Sequence, residues 1–355
     1  MKRELVLFVS GFHAGPQGSN LARLVDGLKE YGDNNGLEYE AIDLNLSQDG
    51  AKMERFHFPQ QERTIDIKEV SWVELAPRLT DQSIRVKVID GFSMICYWLG
   101  IKSFFKISRD NKYFFVSTVV TVGLMLLWYL STLGMALELL SDNKSWIPPG
   151  LYGYFKTFAD HFLGFNAWIA VTFLMGILPV NAILNVSYAA KRYLQNINGL
   201  FYRISGRVNQ SFRFSEPYKA YDRMTVVAHS FGVAVAVETL ARYRPVTQTR
   251  IRLITLGGSL RLLTARSLRL SQALEEVVGH PHIATWYDFY SHQDWLCSGA
   301  SLQGDTPVGY RPSLITSQVP LSDMLSGRSH GLYFRDWDVM KAILSEDEDE
   351  KGESR

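Results

Sequence analysis

The chain has 355 residues, 46% of them hydrophobic and 21% charged, with a formal net charge of +1. That length carries one sizeable core and a further segment, and the near-neutral charge gives no ground for a nucleic-acid partner, which needs a basic excess on one face. The two cysteines, Cys96 and Cys297, show neither CxxC nor zinc spacing and fit a reduced compartment.

The opening "MKRELVLFVSGF" has the basic start of a signal peptide. Its apolar run is only about seven residues before Gly11, too short for a helical signal core, and reads as a strand. Leu21, Leu24, Val25 and Leu28 then recur at helical spacing, and "LEYEAIDLNL" reads as a second strand, so the chain begins as a βαβ unit. Val88, Phe92, Ile95, Cys96 and Leu99 mark an amphipathic helix whose nearby rings and lysines suit a headgroup layer or the face of the soluble domain.

Residues 113–137 contain no charged side chain. As a helix they measure roughly 37 Å, enough to cross a bilayer with tilt. A second uncharged stretch, 162–190, is long enough too, with Pro179 placed to bend it. Lys102, Lys106, Arg109 and Lys112 precede the first stretch, and Lys191, Arg192, Arg203 and Arg207 follow the second. The positive-inside bias therefore expects a hairpin with both termini cytoplasmic. Beyond it, Leu194, Ile197, Phe201, Ile204 and Val208 form another amphipathic pattern.

The remaining chain alternates "RMTVVAHS", a helix over about 232–243, "IRLITLGG", a helix over 263–278, "ATWYDFYS", a long loop and a last helix over 337–344. Such alternation predicts a mostly parallel sheet flanked by helices, with its polar site at the carboxyl ends of the strands. The expected organisation is 1–100 and 195–345 as two parts of one domain, 101–194 as an inserted transmembrane hairpin, and 346–355 as an acidic disordered tail.

Ser230 stands where a buried strand gives way to a helix, with small residues two positions on either side, Ala228 and Gly232. A nucleophile elbow needs that, because its strained turn brings strand and helix close together. The first amides of the following helix, including that of Phe231, face an incipient oxyanion. Among the 8 histidines, His330 in "GRSHGLYF" lies on a loop late enough to serve as general base. Asp294, just past a strand in "DFYSHQDWL", is the preferred acid, with Asp305 as the other candidate and Asp288 structural within its strand.

In "LFVSGFHAG", "VVAHSFGVAVA", "LITLGGS", "YSHQDWL" and "SHGLYF" the chain resembles the α/β-hydrolase superfamily over residues 4–45 and 222–345, in the order Ser, acid, His. Ala228 stands in place of the commoner first glycine of the elbow, and Ser10 where many members carry a histidine. The resemblance implies an oxyanion contact from the backbone amide of Phe12 or His13. His280, His282, His292 and Asp294 raise a metal reading, but Pro281 interrupts the His-x-His pair and no HExxH pattern exists.

The expectation is an α/β-hydrolase-like sheet interrupted by two transmembrane helices, acting without cofactor or metal on an ester or acyl substrate, lipid among them, at a bilayer. A non-catalytic binding or scaffold protein on the same fold is the alternative.

Overall fold

Every position from Leu5 to Val9 is apolar because β1 (Lys2–Val9) is buried on both faces. Leu5, Leu7 and Val9 enter the core on one side of the sheet, and Val6 and Phe8 the core on the other. The computed structural model describes residues 1–12, 16–46, 51–100, 112–141, 153–154, 165–177, 180–215, 221–244, 250–302, 307–325 and 327–345.

After β1 come α1 (Ser19–Asn34), β2 (Glu40–Leu46), β3 (Lys52–Phe58) and β4 (Arg63–Val70). The second part of the sheet comprises β5 (Arg223–His229), β6 (Ile251–Leu256), β7 (Ile283–Tyr290) and β8 (Tyr310–Leu314). The eight strands lie in the order β2-β3-β4-β1-β5-β6-β7-β8. β3 is antiparallel to both its neighbours, and the remaining pairs are parallel, so the sheet is mixed but mostly parallel.

The expected βαβ opening is corrected by this order. β2 runs parallel to β1 but lies at the sheet edge, with the β3–β4 hairpin between them. Strand β4 carries Arg63, Asp66, Lys68 and Glu69, all buried, and that charge disguises a strand buried along its length. Asp66 among them accepts from Arg55 at 2.6 and 2.9 Å and from the Tyr221 hydroxyl at 2.6 Å.

The helices between β4 and β5 are α2 (Ile84–Leu99), α3 (Lys112–Ser141), α4 (Phe165–Ile177), α5 (Val180–Leu194) and α6 (Leu200–Ser215). Within α3, Phe114–Met135 forms 22 residues long and apolar enough to cross a membrane. Residues 162–190 do not make one straight helix. Trp168–Gly176 and Val180–Leu194 meet at 77°, and α5 buries Tyr188, Ala189, Ala190 and Tyr193 rather than presenting an apolar surface all round. Among the described residues, α3 is thus the single helix that qualifies alone, and the bent pair qualifies only taken together. In α6, Phe201, Ile204, Val208 and Phe212 are buried in the core beside the sheet, so this amphipathic face packs on protein.

The expected helix over 263–278 is two helices, α8 (Leu260–Thr264) and α9 (Leu268–Val278), because the Ser267 hydroxyl caps the second by accepting from the Leu270 amide at 3.2 Å. Three more elements follow β5 and β8: α7 (Gly232–Arg242), α10 (Leu321–Leu325) and α11 (Trp337–Leu344). The acidic tail lies outside the described residues.

At the amino ends of the strands, three arginines grip the last carbonyls of α11. Arg63 donates to Leu344 O at 2.5 Å, Arg223 to Ser345 O at 3.1 Å, and Arg252 to Ser345 O and Ile343 O, both at 3.0 Å. They satisfy carbonyls that a helix end leaves without partners. Glu4 joins two of them, accepting from Arg63 at 2.8 and 2.7 Å and from Arg223 at 2.6 Å. Burial pushes the Glu4 carboxyl up, but hydrogen bonds and charge from Arg63 and Arg223 outweigh it and hold the group below the usual carboxylate range. A lowered folded value contributes stability above the unfolded pKa of about 4.3, lost as pH falls through the folded value. Glu4→Gln strands the buried Arg63 and should cost about 3–5 kcal/mol. Thermal unfolding in detergent reads this loss, and the variant should show a weaker acid-side decline than the parent chain.

Candidate active site

Ser230 has φ of 57°, the left-handed region, at the point where β5 ends and α7 begins. For a residue with a side chain this conformation is strained, and the surroundings hold it in place. The Ser230 amide donates to Leu256 O at 2.9 Å, and the Ser230 carbonyl accepts from the Val233 amide at 3.1 Å. The small neighbours have steric reasons. A Cβ on Gly232 would stand 2.5 Å from Val9 O, and one on Gly11 would stand 2.6 Å from the Ser230 Cβ. The β1–α1 connection therefore passes directly against the serine. Among the described residues, neither the Phe12 nor the Phe231 amide donates a hydrogen bond, which leaves two N–H groups beside the elbow. His13 lies outside the described residues, as does Asp305.

Asp294 is fully buried and engages His330. Its two carboxylate oxygens stand 2.9 and 2.8 Å from His330 Nδ1. The same carboxylate accepts from the Tyr333 hydroxyl at 2.9 Å and from the Leu296 amide at 2.9 Å. With Nδ1 donating to the carboxylate, Nε2 is the imidazole's acceptor atom. His330 Nε2 is buried and has no hydrogen-bond partner. It is not bonded to the Ser230 hydroxyl, a contact that in unliganded sites often closes only with substrate.

The elements that hold this pair are specific. His330 belongs to a 3-10 segment, Arg328–Arg335, entered through Gly327 at φ 74°. His229 Nε2 stands 3.0 Å from the His330 carbonyl, and the two rings lie 4.7 Å apart, so the residue before the serine packs against the segment that carries His330. Gly257, at φ 58° just past β6, has no room for a Cβ: it would meet the Tyr333 ring at 2.5 Å and Asp294 Oδ2 at 2.9 Å. Burial and the Asp294 charge push the Tyr333 phenol well above its ordinary value, keeping it a neutral donor to the Asp294 carboxylate. Burial likewise raises the Cys297 thiol, which points to Gly258 O at 3.3 Å and stays protonated.

Ser230, Phe231, Phe12, Asp294 and His330 thus lie at the carboxyl ends of β1, β5, β6 and β7. Tyr333 and Gly257 belong with them and carry no signal of their own in the sequence. Asp288 is engaged elsewhere, accepting from Thr255 at 2.6 Å, Tyr310 at 2.7 Å and the Ser301 amide at 2.6 Å. His280 Nε2 lies 3.0 Å from Tyr243 O, and among the described residues no group of three or more His, Cys, Asp or Glu side chains is arranged to hold a metal ion.

Two cavities flank the site. Ser230 and Phe231 line one, whose other walls are mostly apolar; Phe12, His229 and His330 line the other, together with Arg23, Arg328, Arg335, Asp26 and Asp323. No protein-family model, curated protein or solved structure matches this chain.

Proposed function

We propose that this chain is a membrane-anchored serine hydrolase that cleaves an ester or acyl substrate. The observation that carries the reading is the buried Asp294–His330 pair, with Nε2 open, at the same sheet end as a serine held at positive φ. Ser230 Oγ attacks the carbonyl carbon while His330 Nε2 takes its proton, and Asp294 stabilises the imidazolium. The Phe231 and Phe12 amides receive the oxyanion. Collapse of the tetrahedral adduct expels the leaving group with the proton from Nε2; water then attacks the acyl-enzyme by the same route. A fluorophosphonate probe applied to the full chain tests this: phosphonylation of Ser230 is expected, and an unlabelled protein that still binds acyl ligands would favour the non-catalytic alternative.

In this reading α3 anchors the chain, the bent α4–α5 pair supplies the second crossing, and the hydrolase domain with both termini faces the cytoplasm. The basic flanks and the apolar surface of α3 support it. An even number of crossings also lets β1 and β5, neighbours in one sheet, fold on the same side. In sealed vesicles, a cysteine at position 145 should label only from the far side and one at 354 only from the cytoplasmic side. Labelling of both from one side would rule out the hairpin, and release of the protein by alkaline wash would remove the anchor.

A further inference from the structure

The cavity that begins at Ser230 is walled on one side by the anchor itself. Phe114, Ser117, Thr118, Thr121, Val122 and Met125 of α3 line it, and they recur every three or four residues, so they form one stripe along one face of the helix. α2 contributes Met94 and Trp98, and α5 contributes Leu184. The cavity's own free volume is about 120 Å³, and it opens to the surface. On other sides of α3, Phe115, Val116, Val119, Leu126, Leu130 and Leu133 are exposed. The same helix therefore presents apolar surface outward and the wall of a nucleophile-bearing cavity inward.

Hydroxyls on the stripe do not make it polar. Ser117 donates to Phe114 O or Trp295 O, each at 3.2 Å, and Thr118 donates to Phe114 O at 2.8 Å. The Ser117–Trp295 contact also ties α3 to the loop that carries Asp294. Trp98 and Trp295 also line the cavity, and their indole N–H groups, fully buried, find no acceptor in the protein.

The geometry points to a long-chain acyl ester of the bilayer as the substrate, its acyl chain lying along the inner stripe of α3 with the carbonyl at Ser230, and its polar leaving part in the charged cavity beside His330. From Phe114 to Met125 the helix rises roughly 16 Å. An extended, staggered chain of about 12 carbons spans that length. Entry from the membrane follows from the placement, since the helix that walls the cavity is the one that is apolar enough to sit in lipid. The turnover part of this inference rests on the serine-hydrolase reading; the binding part does not.

Two measurements on the full chain in detergent or vesicles separate them. The first compares nitrophenyl esters of increasing chain length: kcat/KM should climb toward chains of about 12 carbons, each added methylene gaining burial. Thr121→Trp, which fills the stripe, should lower the long-to-short ratio of kcat/KM by about tenfold or more, whereas Leu130→Trp on the exposed surface should not change the ratio. Val122→Phe serves if Thr121→Trp does not fold. The second uses a diazirine-bearing fatty acid on the unsubstituted and Ser230→Ala proteins, with crosslinks expected within residues 114–125. A flat chain-length profile with an unchanged ratio, or crosslinks confined to the outward face, overturns the acyl cavity while probe labelling of Ser230 keeps the hydrolase. Absent labelling with crosslinks on the stripe overturns the hydrolase and keeps the cavity.

Discussion

Ser230→Ala should lower turnover by about a million-fold, the usual loss for a triad nucleophile, and abolish phosphonylation by the probe. The fold should persist. Alanine at φ 57° meets the same backbone strain as serine. A second substitution at this position separates strain from chemistry. Ser230→Gly is equally inactive, yet it removes a left-handed conformation that costs a side-chain-bearing residue about 1–3 kcal/mol, so it should unfold at a higher temperature than Ser230→Ala. Thermal melts of the two variants in one detergent, alongside turnover, check both claims. Retained turnover in a clean Ser230→Ala preparation would sink the enzymatic reading, and a Gly variant less stable than the Ala variant would show that the positive φ is not strain held by the fold.

The legible part of the fold is the part whose strands are mostly apolar. β1, β5 and β6 are covered on both faces, and each is rich in Val, Leu and Ile, with only Thr225 in β5 and Arg252 and Thr255 in β6 breaking the apolar runs. β4 escaped that test because Arg63, Asp66, Lys68 and Glu69 alternate with its apolar residues, and only the fold brings the partners that make their burial tolerable, from Glu4 to Tyr221. β3 and β4 together displaced β2 to the edge, which no local pattern announces. The bend that divides the second apolar stretch into α4 and α5 is not announced by composition either. Uncharged composition does not separate a lipid-facing helix from one like α5, whose apolar side is covered by protein and whose tyrosines reach polar partners. At the site, the serine was readable because an elbow constrains its sequence neighbours sterically. Tyr333 and Gly257 were not, because their roles exist only where β6, β7 and the 3-10 segment converge.

The choice of base is open to a test of comparable size. His330→Ala should fall to the level of Ser230→Ala, because loss of either member of a serine–histidine pair costs about as much as loss of both. Asp294→Asn should lose about ten-thousand-fold: an amide in that place no longer selects the imidazole tautomer with a free Nε2, and it does not stabilise the imidazolium. The other histidines should behave differently, for structural reasons. His280 is held against Tyr243 O and Arg244 on the far side of α7, and His292 is exposed with its ring 5.8 Å from Tyr290, so alanine at either should keep most activity. His229 occupies the intermediate case. It touches the His330 carbonyl and ring, so His229→Ala should lower kcat by displacing the base segment without changing the pH at which activity rises. Steady-state pH profiles of the four histidine variants decide among these. An inactive His292→Ala together with an active His330→Ala would move the base to the exposed loop and dissolve the Asp294–His330 assignment.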